Sequence, residues 1–184
     1  AVKEKDLSAL NRVLDQFLFW KPEISAEFKE LAKALAPLCR YLRDDITEAL
    51  KNPQSRLIAL AEDWRRLLFP EASDERFADA YAQTVTFALL LARLDGANVK
   101  DLNIAVNALK AHHTLLSRAL QILTDDQAIQ EIEPAVRLLQ RTLDALKAQT
   151  STGHDPWLYF YEDFLEAYDE NLRRDCGVYY TPVE

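Results

Sequence analysis

The chain has 184 residues, enough for one domain with its own core, and 49% of them are hydrophobic against 28% charged, the profile of a water-facing globular protein. Its formal net charge of -8 argues against an autonomous nucleic-acid-binding module, because a surface that grips phosphates is ordinarily basic. Only three glycines occur, at 96, 153 and 177; a β-rich chain of this size would need many more turns, so their scarcity favours long helices.

The first element is carried by Leu7, Leu10, Leu14, Phe17 and Leu18, which recur at helical spacing with Asp6 as a cap, and Trp20-Lys21-Pro22 ends it. A second block covers residues 25–50, with Phe28, Leu31, Leu35, Leu38, Leu42, Ile46 and Ala49 on one stripe. Pro37 lies inside it and is expected to kink or split the helix. Asn52-Pro53 is read as the start of a third block with Leu57, Leu60, Ala61, Trp64, Leu67 and Leu68 on one face, stopped by Pro70. Ser73, Asp74 and Glu75 then open a helix whose apolar face runs from Phe77 and Tyr81 to Leu91 and Ala92, closed by Asp95-Gly96. Shorter helices follow, from Leu102 to Lys110 and through Leu116, Leu120 and Leu123. A long block covers 126–149, in which Pro134 either kinks the helix or opens its second part. Residues 149–153 are a turn-rich loop.

The composition then shifts. Asp155-Pro156 reads as a cap followed by a first-turn proline, and Trp157, Phe160, Tyr161, Phe164, Leu165 and Tyr168 follow at helical spacing. Such aromatic density predicts a helix pressed against something large. After Gly177, Val178-Tyr179-Tyr180-Thr181-Pro182 must be extended, since the residue before a proline avoids the helical region. The expected fold is therefore all-α, an irregular bundle of about seven or eight helices with an extended C-terminal tail. It divides into a helical spacer or coupling part, 1–153, and an aromatic helix with its tail, 154–184.

No residue pattern in the chain makes a catalytic site. His112 and His113 are adjacent, point to different sides of a helix and cannot chelate one ion as an i, i+4 pair would; they read as a polar helix junction. Glu162, Asp163 and Glu166 share the face opposite the aromatic stripe and read as its solvated side rather than an acid–base pair. Asp155-Pro156-Trp157-Leu158-Tyr159 is superficially similar to the Asp/Asn-Pro-Pro-aromatic loop that holds a flipped adenine, but it lacks the second proline and reads as a helix start. There is no phosphate-cradling glycine loop and no nucleophile–base signature. Cys39 and Cys176 have no metal-ligand spacing and read as free thiols in a reducing cytoplasm. No apolar run approaches membrane-spanning length, no signal-peptide pattern opens the chain, and the absence of methionine suggests a trimmed piece of a longer protein.

Residues 154–182, from Asp-Pro-Trp-Leu-Tyr-Phe-Tyr-Glu-Asp-Phe-Leu-Glu-Ala-Tyr-Asp through Gly-Val-Tyr-Tyr-Thr-Pro, closely resemble a segment of large adenine-N6-specific DNA methyltransferases of restriction-modification and phage-defence systems. Phe77-Ala78-Asp79-Ala80-Tyr81-Ala82-Gln83-Thr84 resembles a recurrent helix of the same proteins. The likeness covers roughly the latter two-thirds of the chain, and Asp175-Cys176 depart from the more basic ending usual there.

The resemblance implies that Tyr180, Thr181 and Pro182 pack against the methionine end of S-adenosylmethionine in a longer parent protein. Read without it, the same residues are simply an extended end. It further implies that the glycine-rich cofactor loop and the Pro-Pro-aromatic catalytic loop lie outside this chain, so that the parent is an enzyme while this part alone neither binds the cofactor nor transfers methyl groups. The expected partners are the catalytic domain of the same protein and, through the full-length protein, DNA. With no catalytic domain beside it, the aromatic helix is expected to leave an apolar patch exposed through which the chain forms a homodimer. The competing reading is a stand-alone helical protein-interaction module unrelated to methylation.

Overall fold

The computed structural model describes residues 28–146 and 156–169. Among them the chain is all-α, with seven helices and no strand. The helices are α1 (Phe28–Leu50), α2 (Arg56–Leu67), α3 (Asp74–Leu94), α4 (Leu102–Leu109), α5 (Thr114–Leu123), α6 (Asp126–Asp144) and α7 (Pro156–Tyr168). The first expected helix, around residues 7–18, lies outside the described residues.

Most helix starts are set by side chains that accept hydrogen bonds from otherwise orphaned first-turn amides. Ser55 caps α2 through Leu57 N at 3.1 Å, and Ser73 caps α3 through Arg76 N at 3.2 Å. Asp101 takes Asn103 N at 2.8 Å, and Asp125 takes Gln127 N and Ala128 N at 3.0 and 2.8 Å. Asn52-Pro53 does not begin α2 as expected. The Asn52 carboxamide instead accepts from Gln54 N at 3.1 Å, a local turn that moves the helix start to the Ser55 cap. At the C-terminus of α3, Gly96 adopts φ +86°, with Gly96 N bonded to Arg93 O and Ala97 N to Ala92 O, the paired bonds of a glycine-terminated helix.

Neither internal proline breaks its helix. Pro37 and Pro134 are exposed, as are Lys33 and Gln130, whose carbonyls lose their amide partner on the solvent side of each helix.

α3 is the central element. It packs against α1, α2, α4, α5 and α6, and it buries residues on nearly every side, including Ala78, Ala82, Ala88 and Ala92, whose small side chains let neighbouring helices approach closely. α1 makes its most extensive contact with α7 and also meets α3 and α6. Two arginines tie helix C-termini to other helices. Arg93 of α3 donates to the carbonyls of Leu143, in the last turn of α6, and Leu146, just past it, at 3.1 and 2.7 Å, and Arg40 of α1 donates to the carbonyls of Ala167 and Tyr168 at the end of α7. Each places a full positive charge on the negative end of a helix dipole.

Among the described side chains of the aromatic helix, the expected apolar patch is not exposed. Phe160, Phe164, Leu165 and Tyr168 are 2%, 0%, 1% and 3% exposed, packed into the chain's own core. Phe87 of α3 meets Phe160 at 6.2 Å and Phe164 at 4.8 Å edge-on, and Phe164 stacks on Tyr168 at 5.2 Å. The apolar face on which the homodimer was expected is consumed by α1 and α3; the side chain of Trp157 lies outside the described residues. Large exposed apolar side chains occur instead at Leu67, Leu68 and Phe69 after α2 and at Leu115 and Ile122 on α5.

Candidate functional site

Tyr180, Thr181 and Pro182 lie outside the described residues, so the structure supplies no geometry for them. What it does describe is how the helix preceding them is held. Tyr168, at the end of α7, donates its hydroxyl to Asp79 Oδ1 of α3 at 2.5 Å. The second oxygen of Asp79 accepts from Gln83 Nε2, one turn on, at 2.9 Å. The guanidinium of Arg43 on α1 lies over the Tyr168 ring, 5.5 Å from its centre, and Arg40 holds the carbonyls just described. Three helices therefore converge on one tyrosine through a hydrogen bond, a cation–ring contact and a C-terminal cap.

Behind this cluster the Cys39 thiol is fully buried, and desolvation pushes it up to about 12, partly opposed by the Thr86 hydroxyl beside it. The same burial, reinforced by Cys39 and Asp79, raises the Tyr168 phenol far above its usual range. Both groups stay protonated at neutral pH. A buried, protonated thiol is a poor nucleophile, and Tyr168 works as a hydrogen-bond donor.

Above the cluster an open groove of about 1230 Å³ runs along α3, floored by Ala80, Thr84 and Phe87 and walled by α7 on one side and by Trp64 and Leu116 on the other. A smaller apolar cleft of about 500 Å³ lies between α2 and α5, bounded by Leu60, Leu67, Leu68 and Ile122.

Other sequence candidates resolve simply. His112 is exposed and His113 half-buried between α4 and α5, the polar junction expected of them, and no group of metal-ligating side chains exists among the described residues. Glu162 and Asp163 are partly exposed and Glu166 is exposed. Among the described residues no helix is long and apolar enough to cross a membrane. Sequence reasoning did not find the Arg40–Arg43–Asp79–Tyr168 cluster. Its only local sign is the polar i, i+4 pair Asp79 and Gln83 amid the buried residues of α3, and nothing in the sequence connects that pair to residues 40, 43 or 168.

No protein-family model, curated protein or solved structure matches this chain.

Proposed function

We propose that this chain is the non-catalytic helical part of a larger S-adenosylmethionine-dependent DNA adenine-N6 methyltransferase, of restriction-modification or phage-defence type, and that it joins upstream regions to the catalytic core. The supporting sequence feature is the aromatic helix followed by Gly177-Val178-Tyr179-Tyr180-Thr181-Pro182. The observation that carries the coupling role is the seating of α7. Its apolar face is buried and its last carbonyls are gripped by Arg40, so the bundle holds the helix that leads toward the extended segment in one position. In this reading Tyr180, Thr181 and Pro182 present backbone and hydroxyl groups to the amino-acid end of the cofactor, which supplies the methyl group when bound; the helices contribute position rather than chemistry.

The test is transfer of labelled methyl groups from S-adenosylmethionine to DNA by the longer parent protein, beside its Tyr180→Ala and Thr181→Ala variants. Methylation of adenine that drops at least tenfold in the variants supports the reading. A folded parent that methylates nothing overturns it. The interaction-module reading would then stand on the exposed apolar residues Leu67, Leu68, Phe69, Leu115 and Ile122.

A further inference from the structure

Helix α5 is apolar on two sides. Leu116, Leu120 and Leu123 pack onto the bundle, while Leu115, Ala119 and Ile122, at i, i+4 and i+7, form a second stripe. Leu115 and Ile122 are 86% and 57% exposed, and Arg118 between them is the only charge on the helix. A helix that is apolar all round belongs in an interior, yet this one lies at the surface. Ala119 and Ile122 form one wall of the cleft of about 500 Å³; Leu60, Trp64, Leu67 and Leu68 form the facing wall, over Phe77 and Tyr81 of α3.

Size, charge and shape say what covers this face. Most of the large apolar side chains exposed among the described residues, namely Leu67, Leu68, Phe69, Leu115 and Ile122, lie along or beside the cleft. At about 200 Å² for each such residue fully exposed, they leave roughly 600 Å² uncovered, the upper end of what a single chain usually shows and most of the about 800 Å² that each copy gives to a stable dimer. The charge of this face also differs from that of the chain. α2 carries Arg56, Arg65 and Arg66 against Glu62 and Asp63, and α5 adds Arg118, whereas the whole chain stands at -8. Two copies of an acidic chain repel where their acidic faces approach, and this face is spared that repulsion. Finally, the cleft and the ridge from Leu115 to Ile122 beside it are a hole and a knob on one surface, which is what a two-fold contact requires of each copy.

We propose that a second copy of this chain covers this face: across a two-fold axis the outer stripe of α5 from each copy enters the cleft between α2 and α5 of the other, with Arg118 set against the partner's Asp63. Within its own chain Asp63 pairs with Arg66, one turn on, at 2.7 Å; both side chains are well exposed, so the pair is held weakly and Asp63 is open to a new partner. The inference is independent of the methyltransferase reading, since its test reads association and not methyl transfer.

Sedimentation equilibrium of the whole chain tests it, with circular dichroism to check that each variant keeps its helices. The expected result is a reversible monomer–dimer equilibrium in the micromolar range. Ile122→Glu and Leu115→Glu should each weaken it roughly tenfold or more, and Tyr41→Glu, exposed on α1 and outside the cleft, should leave it unchanged. Arg118→Asp should weaken the dimer, and Asp63→Arg added to the same chain should restore it. A chain that stays monomeric at high micromolar concentration overturns the proposal. So does a dimer indifferent to both glutamate substitutions, which places the contact elsewhere, and so does growth beyond a dimer, because a two-fold contact closes. A charge exchange that restores nothing overturns the pairing across the axis. Should Ile122→Glu lose its helices, Leu115→Glu decides, since Leu115 is 86% exposed and its loss leaves the core untouched.

Discussion

Two sides of the bundle use the same kinds of residue in different ways. Where α1, α3 and α7 meet, Phe160, Phe164 and Tyr168 are buried to within a few percent, and Tyr168 is paired with Asp79, with Arg43 over its ring and Arg40 on the helix end. Where α2 and α5 flank α3, Leu67, Leu68, Leu115 and Ile122 remain 72%, 63%, 86% and 57% exposed. The difference lies in length and enclosure. α1 is a long helix that packs extensively on α7, with Phe87 and Asp79 of α3 reaching it from the other side, whereas α2 and α5 are short and leave a cleft between them. Apolar character in a sequence therefore marks a surface that wants covering, and the number of neighbouring elements decides whether it is covered within the chain.

The sharpest way to break this comparison is to truncate one large apolar side chain on each side. Phe164→Ala, at 0% exposure, is expected to lower unfolding free energy by about 3–5 kcal/mol, measured by urea denaturation, while Leu68→Ala changes it by less than about 0.5 kcal/mol. Equal effects would mean that the two sides are equally packed.

Alkaline pH probes the buried side next. Cys39 is raised from 9.0 to about 12, and Tyr168 and Tyr81 are raised as well, all chiefly by desolvation. The folded state thus holds these protons more tightly than the unfolded chain. Their contribution is fully present below about pH 9 and declines as pH climbs from there toward the folded-state values. Thermal melts from pH 8 to 11 should show a falling midpoint, less steep in Cys39→Ala; a flat profile would contradict the burial of these groups.

Smaller effects resolve the cluster itself. Tyr168→Phe removes the hydroxyl that Asp79 accepts and should cost about 1–2 kcal/mol. In a double-mutant cycle, Asp79→Asn should lose less in the Tyr168→Phe background than alone, and strict additivity would show that the pair does not couple. Smallest among the predicted losses is Ser55→Ala at the start of α2, about 1 kcal/mol for a single helix cap, read from the same denaturation curves. On the open side, Leu115→Ser should leave stability within about 0.5 kcal/mol of the parent and instead improve solubility at high concentration.

Much of this architecture was legible beforehand because helical periodicity is local. The stripe Leu31, Leu35, Leu42 and Ile46 is the buried face of α1, and Ser73 and Gly96 bound α3 where they were expected to. Of the two outcomes expected at Pro37, the split did not occur, since α1 runs unbroken through it. Asn52-Pro53 misled because a carboxamide can close a turn as readily as begin a helix, and only the position of the Ser55 hydroxyl distinguishes the two. The aromatic helix misled most. Its stripe was read correctly as a face needing a partner, but the partner proved to be α1 and α3, far away in sequence.

The sequence by itself determined the helices: their caps, their apolar faces and their all-α class, because hydrogen bonding along a helix and side-chain spacing are set within a few residues. Tertiary structure alone decided which face met which. It closed α7 inside the bundle, brought Arg40, Arg43 and Asp79 from two other helices onto Tyr168, and left a groove along α3. Those outcomes depend on packing between segments up to about 130 residues apart, where the energy of a contact follows from which surfaces fit together and no local pattern records the choice.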